Sequence, residues 1–179
     1  LSKKMYGPGV MPPQPDKIWQ SPYSGEKWVL SEGEDRYRRG VYTYWKRTAP
    51  YPSMITFDAP SREFCQSRRI LTNTPLQALV TLNDPVYLEA AENLAANMMK
   101  RGKTPEQPLT EGYRMLTFQP IDRKNLNVLV KVYKDALNTY IQNRDEVDSI
   151  LVYRKERSPE LAALTVSANV MLNLDNVVT

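Results

Sequence analysis

Proline placement constrains this chain more than any other feature. Pro8, Pro12, Pro13, Pro15, Pro22, Pro50, Pro52 and Pro60 all fall in the first 60 of its 179 residues. Each proline fixes its own φ, removes an amide donor and pushes its predecessor toward extended backbone. With Gly7, Gly9, Gly25 and Gly33 among them, residues 1–35 are predicted to form an irregular, proline-rich docked arm. Gly7 to Pro15 should run extended over a surface. Trp19, Tyr23 and Trp28 are its expected anchors, because a free linker rarely carries two tryptophans. Ala49 to Pro60 holds three more prolines and reads as a loop or extended connection.

Regular structure is therefore expected later. Arg39 to Arg47, RGVYTYWKR, alternates loosely and is rich in β-branched and aromatic residues, which predicts a short strand, with a two-turn helix as the alternative. Thr74-Pro75-Leu76-Gln77 places Thr at an N-cap, Pro at the first helical position and Gln at the third, a capping-box start for a helix over 75–83. Asp84-Pro85 repeats the device. Val86, Leu88, Ala91, Leu94, Ala95, Met98 and Met99 then recur at helical spacing to about Lys100. Gly102 to Pro108 reads as a break, Thr110 to Phe118 as a short helix and Arg123 to Asn143 as a long one. The long helix carries an apolar stripe of Leu126, Leu129, Val130, Tyr133, Leu137, Tyr140 and Ile141. Residues 144–157 show no clear pattern. Ser158-Pro159-Glu160 starts a last helix with Leu161, Leu164, Thr165, Ala168, Met171 and Leu172 facing inward. The predicted fold class is mainly α, a single helical domain over 36–179 with the arm and at most a short β-hairpin.

Composition narrows the function classes. The chain is 41% apolar and 25% charged with a net charge of +4, as in a soluble globular protein. No apolar run approaches the roughly 20 residues of a membrane helix. Histidine is absent and Cys65 is the single cysteine. Those counts exclude a Ser-His-Asp or Cys-His site, a His-ligated zinc and a C-x-x-C-H haem attachment within the chain. Cys65 is read as a small buried apolar residue. A start at Leu1 without an initiator methionine suggests a fragment of something longer.

One stretch is locally basic. From Arg36 to Arg69, eight basic residues face only Asp58 and Glu63, interleaved with Tyr37, Tyr42, Tyr44, Trp45, Tyr51 and Phe57. Guanidinium forks suit carboxylate, sulfate or phosphate, and aromatic rings stack on flat ligands or sugars. Arg38, Arg47, Arg62, Arg68 and Arg69, with Tyr44 or Trp45 beneath, are thus the candidate ligand-binding residues for an anionic or sugar-like ligand. The competing reading has the arginines braced internally against Asp58, Glu63 or Asp84. Bracing is expected for Arg68 and Arg69, and an open surface for at least one of Arg38 and Arg47. Glu32, Glu34, Asp35, Asp58, Glu63 and Asp84 offer carboxylate pairs of the kind glycoside hydrolysis needs, but Asp84 fits an N-cap and Asp58 a turn. No catalytic residue, metal ligand or cofactor is assigned.

The runs GPGV from Gly7, SPYSGEKW from Ser21, DRYRRGVYTYWKRT from Asp35, TFDAPSRE from Thr56, CQSRR from Cys65, TNTPLQALVTLNDP from Thr72 and ANVMLNLD from Ala168 carry a resemblance. In these the chain resembles planctomycete-specific domain one, a C-terminal domain of unknown function in large multidomain bacterial proteins. The likeness is tight from Arg36 to about Ala91 and in the last helix, and loose between Lys100 and Arg157. It implies an upstream domain of unknown function, often a c-type cytochrome-like domain, and a location outside the cytoplasm. Haem chemistry would then belong to the parent protein. The expectation is a non-catalytic structural or ligand-binding module of a secreted or periplasmic protein. Its partners would be its parent's upstream domains and an anionic or sugar-like ligand, with no nucleic acid. The alternative is part of a carbohydrate-active enzyme whose site is shared with those domains.

Overall fold

A computed structural model describes residues 1–15, 27–46, 49–60, 63, 65–68, 72–102 and 104–178. Among them are eight α-helices and no β-strand: α1 Pro52–Thr56, α2 Pro75–Asn83, α3 Pro85–Met99, α4 Glu106–Thr117, α5 Arg123–Gln142, α6 Arg144–Ile150, α7 Pro159–Leu172 and α8 Asp175–Val178. The fold is mainly helical, and no helix among the described residues is long and apolar enough to cross a membrane. The chain divides into two compact units, residues 1–77 and 78–179. The division falls within α2.

Unit 78–179 is built around α7, which packs on α3, α4, α5 and α6. The sequence pattern suggests one inward stripe for α7, but Ala162, Ala163, Ser167 and Asn169 are buried as well, so the helix is covered on nearly all sides. Its small residues make that possible, since short side chains let neighbouring helices approach closely. Ala91, Ala95 and Ala96 of α3 belong to the same core. The hydroxyls of Thr165 and Ser167 donate to the carbonyls of Leu161 and Ala163 one turn back, which satisfies them without a distant partner. Gly112 of α4 is a second close approach: a Cβ there would stand 2.6 Å from Sδ of the buried Met98.

Helix starts follow local chemistry. Asp84 Oδ1 accepts from the Val86 amide, Asp122 Oδ1 from Asn125 and Ser158 Oγ from Leu161. Thr74 and Gln77 form the reciprocal capping box of α2, with Gln77 N donating to Thr74 Oγ1 at 3.3 Å and Thr74 N to Gln77 Oε1 at 2.9 Å.

Other elements depart from the sequence pattern. Helix α4 starts four residues before Thr110, because Pro108 sits in the first turn, where its missing amide would have no partner anyway. Helix α1 lies in the proline-rich connection with Pro52 at its first position. Residues 144–157 contain α6, and α8 follows α7. The predicted strand over 39–47 is replaced by a 3₁₀ turn at Gly40–Tyr42 and a single parallel bridge between Thr43 and Val10.

Unit 1–77 holds that bridge. Val10 N donates to Tyr42 O at 2.8 Å and Tyr44 N to Val10 O at 2.7 Å, so the leading segment pairs with the stretch that follows it. Trp28 stacks on Tyr51 with ring centroids 5.8 Å apart, while Trp28 Nε1 donates to Pro12 O and Tyr51 OH to Pro13 O. Trp19 and Tyr23 lie outside the described residues.

Candidate ligand-binding site

Two polar knots shape unit 1–77. The first uses the GPGV run: Tyr6 and Gly7 take positive φ values of 61° and 99°, which turns the carbonyls of Tyr6 and Pro8 toward Arg38. Glycine adopts such a φ without strain. Arg38 Nη1 and Nη2 donate to those carbonyls, and its guanidinium stands 3.6 Å from the centre of the Tyr42 ring. At 6% exposure Arg38 is a buried brace, while Arg47, the other arginine for which an open surface is expected, lies outside the described residues. The partners of Arg38 are carbonyls and a ring rather than the carboxylates anticipated for a bracing arginine. The Tyr6 amide, donating to the Tyr42 phenol oxygen, holds that phenol below the usual tyrosine range, with Arg39 and Arg38 adding to the effect.

The second knot joins the TFDA and TNTPLQ runs. Asp58, in left-handed backbone at φ 56°, follows α1. Its Oδ2 accepts from the Thr72 amide at 2.8 Å and the Thr72 hydroxyl at 2.7 Å. Gln77, only 1% exposed, donates through Nε2 to Thr56 O at 2.9 Å and Thr72 Oγ1 at 3.1 Å, and lies 3.4 Å from Asp58 Oδ2. One amide therefore caps α2 with its oxygen and ties two motif segments with its nitrogen.

Between the tied ends lies an open, polar depression of about 400 Å³, lined among the described residues by Asp58, Ala59, Cys65, Gln66, Ser67 and Arg68. Arg68 is exposed there, although bracing is the role its sequence context suggests. Cys65 is exposed too, which corrects the reading of a buried apolar residue. An exposed guanidinium beside an amide and a hydroxyl can receive an anion or a hydroxyl-bearing ligand.

The candidates from the sequence are thus dispersed. Arg68 lines the depression and Arg38 braces the leading segment. Tyr44 and Trp45 are half-buried, with the Tyr44 backbone in the Val10 bridge. Arg47, Arg62 and Arg69 lie outside the described residues. The carboxylates have local uses. Glu34 accepts from the Ser2 hydroxyl, and Asp35 pairs with Lys4 at 2.8 Å, whose hydrogen bond holds the Asp35 carboxyl below its usual range. Asp84 caps α3, and burial pushes its carboxyl above the usual range. No cluster of three metal-ligating side chains occurs among the described residues.

Sequence reasoning missed two residues that organise their surroundings. Gln77 was legible as a capping residue, but its donor contacts reach back to residues 56, 58 and 72. Glu92, fully buried on α3, accepts from the amides of Val152 and Tyr153 and holds the chain after α6. Its only signal is an acidic residue beside Ala91 on an apolar helix.

Residues 1–133 match the family model PSD1, described as a protein of unknown function (DUF1553). No curated protein matches the chain, and no solved structure does.

Proposed function

Because the chain belongs to PSD1, the planctomycete-specific domain of unknown function, we propose that it is a non-catalytic ligand-binding module within a larger secreted or periplasmic protein. Its ligand is anionic or sugar-like and is held in the depression by Arg68, with Gln66 and Ser67 beside it. The observation that carries this reading is the contrast between two arginines of the basic stretch. Arg38 is buried among carbonyls, while Arg68 stands exposed on a polar depression. Upstream domains of the parent protein are its partners, and any turnover of glycan belongs to them.

Titration calorimetry of the full 179-residue chain against sulfated and neutral oligosaccharides tests the proposal. Saturable binding of a sulfated oligosaccharide, weakened about tenfold or more by Arg68→Ala, is the expected result. Absence of binding to every glycan, or binding indifferent to Arg68→Ala, overturns it. Hydrolysis by the chain itself would replace it with the enzyme reading.

A further inference from the structure

We infer that Gln77 is a positioning residue for the ligand in the depression, acting through Asp58 and Thr72 without touching the ligand; this rests on the binding role proposed above. The geometry has three parts. Cys65, Gln66, Ser67 and Arg68 belong to the segment between residues 58 and 72. Both ends of that segment meet at one carboxylate oxygen, Asp58 Oδ2, which takes the Thr72 amide and hydroxyl. Gln77 Nε2 sits within reach of Thr56 O, Thr72 Oγ1 and Asp58 Oδ2, so its two protons stabilise that closure from beneath. Gln77 is buried and is absent from the described lining of the depression, whereas Asp58 lines it.

The amide is chemically specific for this place. Its oxygen serves the capping box, which glutamate at the same helical position serves equally well. Its nitrogen supplies donors toward an acceptor-rich surround of a carbonyl, a hydroxyl and a carboxylate, which glutamate cannot do when ionised. Gln77→Glu therefore preserves the helix start and sets a like charge against Asp58. Residues 58 and 72 should then separate, and Arg68 should shift relative to Asp58.

Calorimetry of the whole chain with a sulfated oligosaccharide distinguishes the outcomes, because a sulfate ester stays ionised throughout. Gln77→Glu should weaken binding about tenfold at about pH 7.5 with unchanged helix content by circular dichroism. Binding should return toward wild type at about pH 5, as the glutamate beside Asp58 takes up a proton and becomes a donor, while the wild type changes little. A helix-forming role alone would give no such recovery. Equal affinity of variant and wild type near pH 7.5 overturns the inference and leaves the binding role intact. Loss of helix content together with binding at both pH values also overturns it, since Gln77 would then only start α2. Failure of the wild type to bind counts instead against the binding role itself.

Discussion

Units 1–77 and 78–179 reach order by opposite means. In residues 78–179 the helices converge on one apolar core, with α7 buried against α3, α4, α5 and α6. In residues 1–77 regular structure is sparse, and side chains satisfy backbone groups that a helix or sheet would satisfy itself. Arg38, Tyr51, Trp28, Asp58 and Gln77 each bond a main-chain carbonyl or amide. The lesson is that polar and aromatic residues in an irregular segment are drawn first into supporting the backbone. A dense basic and aromatic stretch is then poor evidence of a binding surface. Only the members left exposed after that demand, such as Arg68, qualify.

The contrast can be broken experimentally. Leu161→Ala removes a side chain 1% exposed from α7 and should destabilise unit 78–179 by about 3 kcal/mol, as read from its urea midpoint. A cost near that of a surface change would mean the helical core is loosely packed. Arg38→Met keeps an apolar stem and deletes the bonds to Tyr6 and Pro8 along with the contact to Tyr42. It should cost about 2 kcal/mol and speed hydrogen exchange at the Val10 and Tyr44 amides. If those amides exchange as slowly as before, packing rather than polar bonding holds unit 1–77.

Smaller effects sharpen the picture. Thr74→Ala removes one half of the capping box and should lower stability by about 1 kcal/mol in the same denaturation measurement. Asp84 provides the smallest and most directional case. Its folded carboxyl titrates above the usual range because burial disfavours the charge. The folded state therefore binds its proton more tightly than the unfolded state, so this stabilisation is full below the unfolded pKa and is lost as pH rises through the folded one. Asparagine caps a helix as well as aspartate without the charge. Asp84→Asn should leave stability unchanged or slightly raised near neutrality and flatten its fall with rising pH, measured by melting across an acid-to-neutral series.

Much of the helical architecture was legible because its signals are local. A hydroxyl or carboxylate followed by proline announces α2, α3 and α7, and the stripe on α5 needs no partner to be read, although Ile141 remains exposed. What was not legible depends on distant residues. Nothing near Arg38 says that the carbonyls it binds come from Tyr6 and Pro8, and nothing near Glu92 says that it will hold amides 60 residues on. The extent of burial around α7 was hidden because Ala162, Ala163 and Ser167 carry little hydrophobic signal of their own. At the site, Arg68 was one of the candidates the sequence offered, but no local pattern announces that it and Cys65 are exposed.

The place of α7 along the chain has a consequence for synthesis. A polypeptide emerges from its N-terminus, and α3, α4, α5 and α6 are all made before the helix on which they converge. Until Leu172 has left the ribosome, the apolar faces of those helices have no α7 to cover them. Unit 78–179 thus completes its core only after α7 is made, although α3 and α4, α4 and α5, and α5 and α6 already pack on one another.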